Sequence, residues 1–148
     1  KRTRTSFVGA PSADRSTFLS ALESADIPIL RPKNVGFEDL AYAYASSLIG
    51  LNFSKNAANM KPQMKGRMFE IVASRSLLVT EYVPGIEEYF VPDKEIVCFK
   101  NDIEMVEKVK FLLKNNTIAN KIAKNGYDRL CQDHRSRVRL RRTLDSIY

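Results

Sequence analysis

Lys65 to Phe90, KGRMFEIVASRSLLVTEYVPGIEEYF, is the stretch whose reading decides the fold. A basic Lys-Gly-Arg opens a short amphipathic helix from about Gly66 to Ser74 that carries one glutamate, Glu70. An apolar strand, Leu77 to Thr80, follows directly, then a Pro84-Gly85 turn and a short helical turn around Glu87 to Phe90. A helix of about ten residues running straight into a fully apolar strand is the crossover half of a βαβ unit, and buried parallel strands read as unbroken apolar runs.

Working outward, the same alternation recurs. Ser6 to Ala10 is a short strand ending in a Gly-Ala-Pro turn, and Ser16 to Ala25 places Phe18, Leu19 and Leu22 at helical spacing. Ile27 to Leu30 gives a second strand, Phe37 to Ser46 a helix packing through Leu40, Tyr44 and its alanines, and Leu48 to Phe53 a third strand. Beyond the central block, Glu95 to Phe99 forms a last strand. Asp102 is expected to cap a helix reaching Lys114 with Met105, Val109 and Leu112 or Leu113 on its buried side. Further helices finish the chain. The fold class is therefore α/β, a doubly wound, Rossmann-like parallel sheet flanked by helices, with extra C-terminal helices, and residues 1–148 form a single domain.

Composition agrees with a folded domain and narrows its partners. Hydrophobic residues make up 44% of the 148 and charged ones 28%, enough for one core. The net charge of +7 sits at the ends: Lys1, Arg2 and Arg4 contribute +3, and the segment 135–148 contributes +4, leaving residues 5–134 neutral. Without a basic stripe interleaved with aromatics, nucleic acid is not an expected partner. No apolar run reaches the roughly 20 residues of a bilayer-spanning helix, the start lacks a signal peptide, and the expected location is cytoplasmic. Cys98 and Cys131 lack paired metal-ligand spacing, so neither disulfide nor metal is implied.

In doubly wound sheets ligands sit beyond the carboxyl ends of the strands, which singles out three loops: Gly9 to Arg15, Asn52 to Arg67 and Glu81 to Glu87. In the first, backbone amides at a helix start together with Arg15 suit a phosphate, although neither a dinucleotide fingerprint nor a P-loop is present. In the second, about 100° per residue puts Arg67, Glu70 and Ser74 on one polar stripe and Met68, Phe69, Val72 and Ala73 on the buried side. Gly66 permits close backbone approach, Lys65 and Arg67 can neutralise a diphosphate, and Glu70 can accept two hydroxyl hydrogen bonds from a ribose or sugar. The competing interpretation is a solvated face carrying an Arg67–Glu70 i,i+3 pair worth a few tenths of a kcal/mol. His134, lone and next to Arg135, reads as a helix-end residue without a catalytic role. Tyr42, Tyr44, Tyr82 and Tyr89 read as packing residues, with Tyr82 also in reach of a nucleotide base.

The chain from Ser6 to Phe99 resembles the C-terminal, donor-binding domain of GT-B glycosyltransferases (glycosyl transferases group 1), most of all the CgeB-like, spore-maturation type. The likeness rests on FVGAPSADR, LIGLNFS, the 65–90 block and EIVCFKNDIEMVEKVKFLL. It implies a nucleoside diphosphate sugar as donor substrate and no other cofactor, with Glu70 on the ribose, Arg15, Lys65 and Arg67 on the diphosphate beside Gly9 and Gly66, and Pro84-Gly85 near the donor sugar or phosphate. No catalytic residue follows from it. Two departures stand out. Many retaining relatives carry a second glutamate eight residues before the ribose-binding one, where this chain has Pro62, so retention or inversion is left open. Relatives also often have Ala-x-Gly where this chain reads Ala73-Ser74-Arg75, a difference expected to alter donor geometry.

The resemblance further implies a metal-independent glycosyltransferase parent whose N-terminal domain binds the acceptor, the present residues being an inactive excised half that starts at Lys1 rather than Met. Residues 135–148 are expected to form a basic amphipathic helix whose Leu140, Leu144 and Ile147 make an apolar edge for the missing domain or for a homodimer. The alternative is a non-catalytic α/β interaction module that binds a protein or nucleic acid through that helix.

Overall fold

The computed structural model describes residues 4–9, 13–32, 36–55, 61–135, 138, 141–142 and 144–145. Five strands, β1 (Thr5–Ser6), β2 (Ile29–Leu30), β3 (Ile49–Asn52), β4 (Leu77–Glu81) and β5 (Val97–Phe99), form one sheet in the order β2-β1-β3-β4-β5. Every pairing is parallel, with Thr5 beside both Ile29 and Ile49, Asn52 beside Thr80, and Glu81 beside Phe99. The expected α/β doubly wound class is what the chain adopts. Helices α1 (Ala13–Ser24), α2 (Phe37–Ala45), α3 (Gly66–Ala73), α4 (Asp102–Lys114) and α5 (Asn116–Arg129) make the connections and close the chain.

Alternation along the strands divides the core. Ile49, Leu51, Leu77 and Val79 face Phe18, Leu19 and Leu22 of α1 and Met105, Val109 and Leu112 of α4. Leu78 and Cys98 face Ala43 and Tyr44 of α2 and Met68, Ile71 and Val72 of α3. Gly50 points to that second side, where a Cβ would lie 2.5 Å from Ile71 Cγ2 and 3.3 Å from Tyr44 Cδ1. Only a glycine lets α2 and α3 come this close to β3, and the closeness seats the start of α3 at the strand's end.

Several local expectations are corrected. β1 is shorter and earlier than Ser6 to Ala10, and Ala10 to Ser12 lie outside the described residues. The cap of α4 is Asn101, whose Oδ1 accepts from Glu104 N at 2.9 Å, which makes Asp102 the first helical residue. On α3 the buried residues are Met68, Ile71 and Val72; Phe69 is half-buried and Ala73 exposed, because the helix leans on the sheet one position away from the anticipated stripe. Within 135–148, residues 138, 141–142 and 144–145 are helical and Leu144 is 46% exposed, while Leu140 and Ile147 lie outside the described residues.

Among the described residues no helix is long and apolar enough to cross a membrane, and no group of three or more His, Cys, Asp or Glu is placed to hold a metal ion. Both cysteines are free thiols; burial pushes the Cys98 thiol up to about 12.

Candidate functional site

The chain leaves β1 toward β2 on one side and crosses to β3 on the other, so the carboxyl ends of β1 and β3 flank the point where the strand order reverses. In doubly wound sheets that is where a crevice opens. A cleft of about 380 Å³ lies there, lined by Phe7, Val8, Gly9 and Arg15 from the β1 side, Asn52 and Phe53 from the end of β3, and Lys65, Gly66, Arg67 and Glu70 from the start of α3. Of the residues singled out in the sequence, Gly9, Arg15, Lys65, Gly66, Arg67 and Glu70 come together.

Pro84 and Gly85 do not line it. They follow β4 at the same end of the sheet, where Gly85 takes φ +86 to start the short 3-10 turn Ile86–Glu88. A left-handed backbone explains that glycine without any ligand.

The start of α3 breaks the usual rules for a helix N-terminus. Its N-cap is Lys65, no side chain caps it, and its first turn holds no acid, although first-turn N–H groups have no intrahelical partner and the dipole there is positive. Cations crowd it further. Arg67 donates to Val8 O through Nη1 and its Nε lies 3.3 Å from Glu70 Oε2. Arg15 and Arg67 also raise the cost of charging Lys65, whose ammonium is held below the usual lysine range by burial first and then by Arg15, with Glu81 acting in the opposite sense. Gly66 adds no obstruction: a Cβ there would meet nothing within 4 Å.

Glu70 divides its two oxygens. Oε2 is buried beside Arg67 without a hydrogen bond, while the side chain as a whole keeps 43% of its surface. The i,i+3 pair expected of a solvated face is present, yet half of the carboxylate remains open to the cleft. The Tyr44 hydroxyl, buried beneath, also lacks a well-aligned partner; burial pushes this phenol up, and Arg67 beside it pulls the other way.

Lys65 has a second task that spacing did not reveal. Its Nζ donates to Phe53 O at 2.8 Å and Lys55 O at 2.9 Å, tying the loop after β3 to the start of α3. Under that loop Asn52 Nδ2 donates to Thr80 Oγ1 at 2.9 Å, and Glu81, 5% exposed, accepts from Ser54 N at 3.0 Å. From sequence Tyr44 was read only as a packing residue, and Asn52 and Glu81 only as the starts of candidate loops. The available signal was a polar residue closing an otherwise apolar strand, as in LIGLN and LLVTE.

Arg75 proves remote from the cleft. It precedes Leu77, which pairs with Ile49 at the opposite end of the sheet, so the expected change in donor geometry has no basis there. It takes the glycine-like conformation itself, with φ +58. Arg75 N bonds to Val72 O and Ser76 N to Ile71 O, which is the Schellman ending of a helix. The left-handed backbone costs about 1–2 kcal/mol, partly offset by the guanidinium stacked 4.4 Å from the centroid of Tyr127 on α5. Tyr82 donates its hydroxyl to Glu87 at 2.9 Å. His134 is the last residue of the helical turn Leu130–His134, as expected of a helix-end residue, and its ring also packs among Phe69, Tyr89 and Phe90 and reaches Tyr89 O at 2.7 Å.

Comparison with known proteins follows this geometry. A family model described as "Glycosyl transferase-like" matches residues 8–145; its description is broader than the CgeB-like type. No curated protein matches significantly. Among solved structures, an alpha1,3-fucosyltransferase with GDP-fucose is 19% identical with a TM-score of 0.69, covering 85% of this chain and 39% of that one. The C-terminal domain of a glycosyl transferase group 1 family protein (LpcC) from Francisella tularensis is 14% identical with a TM-score of 0.66, covering 91% and 88%. TarM of S. aureus, in a complex that includes UDP, is 9% identical with a TM-score of 0.72, covering 97% and 35%. The chain thus spans well under half the length of the fucosyltransferase and of TarM.

Proposed function

This chain belongs to the glycosyl transferase-like family, and from that premise we propose that it is the nucleotide-sugar (donor) binding domain of a GT-B glycosyltransferase. The observation that carries this reading is the uncapped, cation-rich start of α3 at the reversal point of the sheet, with Glu70 one turn in. A helix N-terminus without a cap or an acid, beside Arg15 and Arg67, suits a diphosphate. The open side of Glu70 suits the vicinal hydroxyls of a ribose, which a carboxylate can accept in pairs.

Gly66 adds independent support. Alanine at the first helical position would fit, and would favour the helix by up to about 1 kcal/mol, so the protein's own packing does not call for glycine there. Close approach of a ligand backbone-to-phosphate does. The solved relatives named with GDP-fucose and UDP are consistent with a nucleoside diphosphate sugar.

In the transfer, the bond between the anomeric carbon and the diphosphate oxygen breaks, and negative charge grows on the leaving nucleoside diphosphate. Arg15, Arg67 and the start of α3 share the cleft and would stabilise that charge, since preorganised groups of this kind stabilise a transition state strongly. The acceptor would be bound by another part of a longer parent, so the domain by itself should bind donor weakly and not turn over. The alternative of a partner-binding module rests on 135–148.

Isothermal titration with UDP, GDP and dTDP and their sugars tests the reading. One nucleotide family is expected to bind, and Glu70→Ala should weaken it by about 10–100-fold, the weight of hydrogen bonds to a charged group. Absence of binding by all three, or indifference to Glu70→Ala, would remove the proposal.

A further inference from the structure

Glu81 poses a separate question. It closes β4 with a buried carboxylate where Leu77, Leu78 and Val79 precede it, and burying a charge is costly unless it is paired and hydrogen-bonded. The pairing it has is with one short piece of backbone. Glu81 Oε2 accepts from Ser54 N at 3.0 Å and Lys55 N at 3.4 Å, and Oε1 lies 3.6 Å from Lys55 Nζ. The carbonyl edge of the same turn is held from the other side: Phe53 O and Lys55 O take Lys65 Nζ, and Ser54 O takes Gln63 N at 3.1 Å. From Phe53 O to Lys55 O every backbone polar group of this turn has a partner, an accounting that buried backbone requires.

The turn matters because of what hangs from it. Asn52 and Phe53 line the cleft just before it, and Lys65, whose ammonium grips it, is the N-cap residue of α3. Serine 54 also donates its hydroxyl to Glu81 O at 3.1 Å and accepts from Asn52 Nδ2 at 3.3 Å. A strand of this fold ends as well on an apolar residue, so the sheet itself does not ask for a buried acid here.

We infer that Glu81 is a positioning residue for the donor site: by accepting two loop amides it sets the turn whose carbonyls are gripped by Lys65, the N-cap residue of α3. This rests on the donor-site reading above. Glu81 does not line the cleft; it acts through residues 53–55 and Lys65.

The test is titration of UDP and GDP into wild type and into Glu81→Gln, Glu81→Ala and Glu81→Asp, each checked for folding by thermal melting. Glu81→Gln keeps an acceptor oxygen at both amides and should hold affinity within about threefold of wild type. Glu81→Ala, compared at equal folded fraction, should bind at least tenfold more weakly. If Glu81→Ala does not fold, Glu81→Asp decides, since its carboxylate falls one methylene short and should also bind about tenfold more weakly. Wild-type affinity in Glu81→Ala or Glu81→Asp, or a loss in Glu81→Gln equal to that in Glu81→Ala, overturns the inference. Failure of wild-type protein to bind any nucleotide instead overturns the donor-site reading on which it stands.

Discussion

Helices α3 and α4 both begin at the carboxyl end of the sheet, and their first turns are chemical opposites. Helix α4 is finished in itself: Asn101 caps it, Asp102 and Glu104 occupy its first turn, and Glu104 reaches back to Lys100 N at 2.8 Å. Helix α2, at the same end, likewise opens with Glu38 and Asp39. Helix α3 has Lys65 as its N-cap residue, no capping side chain and no acid in its first turn. The same dipole is met by first-turn acids at α2 and α4 and left unmet at α3 and at α5, where neither a capping side chain nor an acid is present. Of these two, α3 starts in the cleft at the reversal point of the sheet, which is why the proposal puts an outside anion at that end.

Giving α3 the first turn of α4 should break the comparison with the largest effect. A Cβ at Gly66 meets nothing within 4 Å, so in Gly66→Asp the fold should stay within about 1 kcal/mol of wild type or gain from the dipole. Nucleoside diphosphate binding should fall at least 100-fold, about 3 kcal/mol, because a fixed carboxylate then occupies and repels the phosphate position. Calorimetry alongside thermal melting separates the two; binding that survives would show that α3 is not the anion site.

The reverse change is smaller and of opposite kind. Asn101→Ala removes the cap of α4 and should cost about 1 kcal/mol, lowering the melting temperature by about 2–4 °C in a domain of this size. Nucleotide affinity should not change. A drop in affinity matching the drop in stability would mean that the two helix starts are not independent.

The smallest effect is in pH. The Glu104 carboxyl is held below the usual carboxylate range, first by its hydrogen bond to Lys108 and then by Lys100 N. A carboxylate with a lowered folded pKa stabilises fully above its unfolded value, about 4.3, and that stability drains away as the pH falls through the lower folded value. Urea midpoints followed from pH 6 to 3 should therefore decline less steeply in Glu104→Gln than in wild type. An identical slope would show that α4 draws nothing from this acid.

How far the site could be read beforehand differs residue by residue. Arg67 and Glu70 were legible because helical geometry puts positions three apart on one face. Gly66 was legible because a glycine between two cations at a helix start has few other uses. The double role of Lys65 was not, since its partners Phe53 O and Lys55 O are backbone atoms, which every residue carries and no pattern distinguishes. Pro84-Gly85 carries little information for a physical reason: the dipeptide satisfies a backbone turn that would look the same with or without a ligand. Arg75 misled in the opposite way, because a non-glycine residue in a left-handed helix end is rare and its stacking on Tyr127 spans more than fifty positions.

The alternation of apolar strands with crossover-length helices determined the fold class, and the polar stripe of α3 determined which side chains share a face, since both depend on periods that a chain carries in its own order. The tertiary structure alone decided that β1 and β3 sit side by side, so that Arg15 lines one cleft with Gly66 and Arg67. It alone decided, too, that Glu81 lies beneath Ser54 and Lys55. Such meetings join residues tens of positions apart, and the energy that selects them comes from burial of a shared core rather than from any local preference.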